Sequence, residues 1–148
     1  MSTRNVMVIV PELQAMTKRR VIEELVAAAA VSPSVTNAKA LRAAVLRRER
    51  LEGTALGSGV AVPHAISSAV SGLVLVLGRS ARGIPFGASD HRSVHLVFLL
   101  AVPSRQVNHY LRALGAITRL MTRKTMRDRL LKLSSPSAIR RFLRQHLA

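Results

Sequence analysis

The apolar positions of the chain change period several times, and each change marks an element. Val6 to Val10 is a continuous apolar run closed by Pro11, read as either an edge strand or an N-terminal lead. From Thr17 the spacing turns helical. Val21, Ile22, Leu25, Val26 and Ala29 recur on one face, Lys18, Arg19, Glu23 and Glu24 fall largely elsewhere, and Thr17 is placed to cap. This helix should end near Ser32-Pro33. A second, capped by Thr36 or Asn37, should run to about Glu49 with Leu41, Val45 and Ala44 inward. Leu73 to Leu77 reads as a strand closed by Gly78, and Gly83 to Asp90 as a loop. Val94 to Leu100 is almost wholly apolar, the pattern of a strand covered on both faces, and Pro103 ends it. Helical spacing returns near Asn108 with Leu111, Leu114, Ile117, Leu120 and Met121, then over Met126, Leu130, Leu131 and Leu133. Ser135-Pro136 pairs a cap with a proline at the first helical position, ahead of Ile139, Phe142, Leu143 and Leu147. Helices on both sides of a central set of strands predict a single α/β domain, residues 10–147, with 1–9 as the lead or short strand.

The stretch most suggestive of chemistry is Gly57-Ser58-Gly59-Val60-Ala61-Val62-Pro63-His64. Small residues lead into an apolar strand that stops at a proline and a histidine. Pro63 fixes its own φ and biases Val62 toward extended backbone, so His64 is held by a stiffened chain. Other constellations are weaker. His91 and His95 lie four apart but lead into a strand, and no soft ligand joins them, so no metal is expected. Ser58, Ser67 and Ser68 near His64 lack a G-x-S-x-G elbow. The glycines at 53, 57 and 59 match neither a phosphate-binding P-loop nor a dinucleotide fingerprint, so no cofactor is expected.

Composition changes this picture in one respect. The chain has 148 residues, 49% of them hydrophobic, and no cysteine, which excludes disulfides and thiolate chemistry. Its apolar start is too short for a signal peptide or a membrane span, so a cytoplasmic protein, not integral to a membrane, is expected. Lys plus Arg is 23 against 7 acidic residues, a formal charge of +16. That balance attracts anions: acidic proteins, phosphates, nucleic acid or anionic membranes. Aromatic content of 3% argues against a base-stacking surface. Arg119, Arg123 and Arg127 are read as one helical side, with Arg140, Arg141 and Arg144 on the last helix. The first two helices admit a helix-turn-helix reading, although their connection is long and the second is alanine-rich. Weak DNA binding without sequence preference is the expectation, and a specific nucleic-acid partner is not.

Arg48-Glu49, Thr54, Gly57 and Gly59-Val60-Ala61-Val62-Pro63-His64 together resemble the signature of the phosphotransferase-system (PTS) enzyme IIA proteins of the mannitol/fructose class, the nitrogen-regulatory branch being nearest in size. Ile84-Pro85-Phe86, Asp90, the Val94 to Leu100 run and the C-terminal helices extend the likeness. It implies a mixed, mostly parallel sheet with helices on both faces. It implies a phosphocarrier in which His64 accepts a phosphoryl group from the phosphohistidine of HPr or its nitrogen-branch relative. The group then goes to a IIB domain in sugar transport, or its presence controls partners such as a transporter or kinase. Arg48 matches the family arginine near the site, and His109 is the nearest equivalent of a second, assisting histidine. The Gly57-Ser58-Gly59 backbone is expected close to the phosphoryl oxygens. Ala55 departs from the family glycine, and the helix register set by Leu111 puts Tyr110 where the second histidine stands and His109 one residue early. A helix beginning near a capping Asn108 would bring His109 to His64. Carriers of this class dock with a basic surface. A +16 chain would therefore need a locally neutral face around His64, with its arginines clustered elsewhere for an acidic protein partner. The alternatives are a IIA-fold regulatory protein with little or no relay activity, and a basic DNA-binding protein.

Overall fold

The computed structural model describes residues 6–147. Among them the elements run β1 (Val6–Val10), α1 (Lys18–Ala29), α2 (Ala38–Leu51), β2 (Ala55–Gly57), β3 (Val60–Ala61), β4 (His64–Ile66), β5 (Val74–Ile84), β6 (Val94–Val102), α3 (Val107–Met121), α4 (Lys124–Lys132) and α5 (Pro136–Leu147). Side chains place the helix starts. Thr17 accepts from the Arg20 N–H, Asn37 from the Ala40 N–H, and Ser135 from the Ala138 N–H. α3 starts differently: a 3-10 turn over Ser104–Gln106 feeds directly into Val107, so Asn108 lies inside the helix and does not cap it.

The strands form one mixed sheet in the order β1-β5-β6-β3-β2, with β4 also on β6. The β1–β5, β3–β6 and β4–β6 pairs are parallel; the β2–β3 pair and the long β5–β6 pair are antiparallel. β3 and β4 therefore share one edge of β6, joined by Val62-Pro63. β1 is an edge strand of this sheet.

Alternation along β5 and β6 divides the core in two. Val74, Val76, Val97, Leu99 and Ala101 face α1 and α2, where Ile22, Leu25, Leu41 and Val45 are buried. Leu75, Leu77, Leu96, Phe98 and Leu100 face α3, α4 and α5, against Ile117, Leu130, Ile139 and Leu143. β6 is covered on both faces, which is why its sequence is nearly continuous in apolar residues.

Two expectations need correcting. Gly78 does not close a strand: β5 runs through it to Ile84. A Cβ there would come within 2.8 Å of a Leu25 methyl and 2.9 Å of a Leu13 methyl, so the glycine makes room for α1 and the segment before it. Arg119, Arg123 and Arg127 do not share a helical side, because α3 ends at Met121 and α4 starts at Lys124. Arg79 reaches across the same region. Its guanidinium donates to the carbonyls of Pro11, Leu130, Leu131 and Leu133, closing the C-terminal end of α4 against the start of the chain.

Candidate functional site

His64 opens β4 and is half-buried. Its Nδ1 lies 2.8 Å from the carbonyl oxygen of Val62. A carbonyl only accepts, so Nδ1 carries the proton and Nε2 is left with its lone pair free in the neutral ring. Burial, joined by the nearby Arg48 charge, holds the His64 pKa below the usual histidine value. The Val62 hydrogen bond and Glu49 oppose that shift. The ring is thus kept in its nucleophilic form at neutral pH.

A cavity of about 320 Å3 opens onto this ring, lined by Ala44, Arg47, Arg48 and Leu51 of α2, by His64, Ala65 and Ile66 of β4, and by Tyr110 of α3. The α2 residues recur at three- and four-residue spacing, so a single helical face supplies them. Arg48 donates from one guanidinium nitrogen to the Glu52 carbonyl at 2.8 Å. That bond closes the end of α2 and fixes the charge beside the imidazole. Tyr110 is buried, 7% exposed, with its ring centroid 5.6 Å from that of His64. Its burial raises the phenol pKa, with Arg48 opposing, so the hydroxyl remains a donor at neutral pH.

Glu49 has a different role from its neighbour. It is 5% exposed and accepts from the Thr54 N–H at 3.0 Å and the Thr54 hydroxyl at 2.6 Å, with Lys18 Nζ at 3.0 Å as its counter-ion. The Thr54 carbonyl in turn accepts the Val62 N–H. A continuous set of hydrogen bonds therefore runs from Glu49 through Thr54 and Val62 to Nδ1 of His64. The sequence had shown Arg48-Glu49 and Thr54 as a spaced motif; the order of these bonds is what spacing alone does not reveal.

His64, Arg48 and Tyr110 are brought together; His109 and the glycine turn are not. α3 begins at Val107, and one residue along a helix rotates a side chain by about 100°. His109 accordingly lines a separate, mostly apolar cavity of about 640 Å3 with Met7, Leu73, Arg112 and Ile117. Gly57, Ser58 and Gly59 form the hairpin turn between β2 and β3, all at positive φ. The Gly59 carbonyl accepts from His95 and Leu96 of β6, whereas His64 pairs with Leu100. Four residues of strand separate the two places, about 13 Å at 3.3 Å per residue. The Ser58 N–H is moreover taken by Asp90 Oδ2 at 2.8 Å.

The face around His64 is not neutral either. Arg47 and Arg48 line its cavity, so the arginines do not keep away from it. Among the described residues no group of three or more His, Asp or Glu side chains is arranged to hold a metal ion, and no helix is long and apolar enough to cross a membrane. His95 directs Nδ1 to the Ser80 carbonyl. α1 and α2, the pair that admits a helix-turn-helix reading despite its long connection, pack on the sheet, and that connection is tied to Ala69 and Val70 by Thr36 and Val35.

The family model described as "Phosphoenolpyruvate-dependent sugar phosphotransferase system, EIIA 2" matches residues 3–146. The PTS system fructose-specific EIIABC component of Bacillus subtilis is 31% identical over 134 residues, 90% of this chain; the chain spans 21% of that longer protein. The nitrogen regulatory protein of Bradyrhizobium diazoefficiens is 36% identical over 113 residues, 76% of this chain and 73% of that one. Among solved structures, the nitrogen regulatory protein IIA-Ntr of Neisseria meningitidis superposes with a TM-score of 0.81 at 26% identity, covering 93% of this chain and 92% of that one.

Proposed function

Because this chain belongs to the EIIA 2 family of the phosphoenolpyruvate-dependent sugar phosphotransferase system, we propose that it is a phosphocarrier whose acceptor atom is Nε2 of His64. The observation that carries the reading is the 2.8 Å bond between Nδ1 and the Val62 carbonyl, which leaves Nε2 as the free nitrogen of a ring that lines the cavity with Arg48 and Tyr110.

The Nε2 lone pair attacks phosphorus on an incoming phosphohistidine, and the donor's N–P bond breaks as the new one forms. The donor nitrogen keeps the departing electron pair, and no proton has to move. Positive charge passes to the His64 ring, where the Val62 carbonyl stabilises the Nδ1–H. Transfer of this kind requires positioning and neutralisation of the phosphoryl oxygens, not a strong base. The Arg48 guanidinium supplies charge and donors, and the Tyr110 hydroxyl supplies a further donor in the position expected for a second histidine.

A carrier of the HPr class is the proposed source of the phosphoryl group. A IIB domain, or a protein regulated by the phosphorylated state, is the proposed recipient. Relatives named as a fructose-specific PTS component and as a nitrogen regulatory protein both match, and in this reading either role would be served by the phosphorylated imidazole of His64. Incubation with a charged HPr-class carrier should add one acid-labile, base-stable phosphoryl group, placed on His64 by mass spectrometry and abolished by His64→Ala. Labelling that survives this substitution would overturn the assignment.

A further inference from the structure

We propose that the protein which exchanges phosphoryl groups with His64 presents an acidic ring around an apolar patch, the reverse of a basic carrier surface. The inference rests on the phosphocarrier reading and specifies its partner.

The exposed surface around His64 has an apolar centre and a cationic rim. Leu51 is 80% exposed and Ile66 49%, and both line the His64 cavity beside Ala44. Large side chains left this open beside a reactive group form the centre of an interface, where apolar contact is concentrated. Arg47 and Arg48 line the same cavity, and Arg50 lies exposed on the adjoining flank of α2.

Negative charge that could receive a basic partner is already committed inside the molecule. The chain has 7 acidic residues. Glu12 accepts from the Ala81 N–H, Glu24 from the Gln14 and Ala15 N–H groups, and Glu23 faces Arg19. Glu49 holds Thr54 and Lys18, Asp90 holds the Ser58 and Arg92 N–H groups, and Asp128 holds Lys124. Six of the seven thus serve internal contacts. The seventh, Glu52, sits at the end of α2 among Arg48, Arg50 and Leu51. A basic ring approaching this rim meets like charge, which costs several kcal/mol across an interface, whereas an acidic ring is steered in. A charged phosphohistidine adds negative charge at the centre of the approaching surface.

The test uses two HPr-class carriers that differ only in the residues ringing the phosphohistidine, acidic in one and basic in the other, each pre-charged with phosphoramidate. Phosphoramidate itself, a small donor with no docking surface, measures the intrinsic reactivity of His64, and every carrier rate is divided by it. The acidic-ringed carrier should transfer about tenfold faster or more. Its advantage should shrink as ionic strength rises from about 0.01 M to 1 M and the Debye length contracts from about 30 Å to 3 Å. The double substitution Arg47→Glu, Arg50→Glu should reverse the preference. A faster basic-ringed carrier, or a carrier ratio untouched by the double substitution, overturns the charge inference while leaving the phosphocarrier reading intact. Failure of phosphoramidate to label His64 in the folded protein overturns both.

Discussion

The rings of His64 and Tyr110 lie 5.6 Å apart, centroid to centroid, tilted by 43°. The family resemblance expects a histidine at the position of Tyr110; in the structure Tyr110 lines the His64 cavity, and His109, one residue earlier, lines a different one. Tyr110→Phe should therefore slow phosphoryl transfer to His64 by about tenfold, the loss of roughly one hydrogen bond to a charged group. His109→Ala should leave that rate unchanged. Rapid-quench transfer assays on both variants decide it, and slowing by His109→Ala alone would return the assisting role to the histidine.

The pH dependence follows from the environment of His64. Burial first, and the Arg48 charge after it, lower the His64 pKa, so acceptance should rise with pH to a plateau already reached near neutrality. Arg48→Gln removes one cause and should move the inflection upward. The same shift is linked to stability. The unfolded chain binds a proton to this residue more readily than the folded one. The contribution is therefore intact above the unfolded histidine pKa of about 6.5 and is lost as pH falls through the lower folded value. An NMR titration of the His64 ring gives the folded value, and an inflection at or above an ordinary histidine's would reject the account.

Gly78 tests the packing of β5 against α1. Gly78→Ala places a methyl group within 3 Å of both Leu25 and Leu13, closer than unstrained carbon atoms approach. Overpacking of this kind costs about 1–3 kcal/mol. Thermal unfolding should shift down by several degrees, at about 2–4 °C per kcal/mol for a chain of this size. An unchanged midpoint would mean that Leu13 and the segment before α1 yield freely.

Much of this architecture was legible because single residues carried local physical signals. Thr17 and Ser135 cap the helices expected of them, Asn37 is the one of the pair Thr36 and Asn37 that caps α2, and the apolar run ending at Pro103 is the doubly covered β6. Two of the misreadings share one cause, a deciding contact that is long-range in sequence. Gly78 reads as a strand breaker until Leu13 and Leu25 are placed above it. Gly57-Ser58-Gly59 reads as a phosphate cradle because it is close to His64 in sequence, yet β3 carries it to the other end of the strand, where Asp90 occupies its N–H. The start of α3 at Val107, which separates His109 from Tyr110 in function, depends on the preceding 3-10 turn and not on a capping side chain.

Glu49 joins the fold to the chemistry, and its substitution is the sharpest test of that link. Its carboxylate accepts from both the N–H and the hydroxyl of Thr54, the Thr54 carbonyl accepts from Val62, and the Val62 carbonyl accepts from Nδ1 of His64. Loosening the first bond frees the carbonyl that selects the tautomer. Glu49→Gln retains one amide oxygen, gives up the second acceptor and discharges the partner of Lys18. Glu49 is buried but the Lys18 side chain is 32% exposed, so discharging the pair destabilises by less than breaking a fully buried one, and the variant is to be studied at low temperature where it remains folded. A role confined to stability would leave the His64 tautomer alone. A positioning role predicts a rise in the Nε2-protonated tautomer, read from the ring nitrogen shifts, and a fall in phosphoramidate labelling that tracks it. Glu49→Asp should recover part of both if its shorter side chain still reaches Thr54. Unchanged ring nitrogen shifts in a folded Glu49→Gln protein would confine Glu49 to holding α2, Lys18 and Thr54 together.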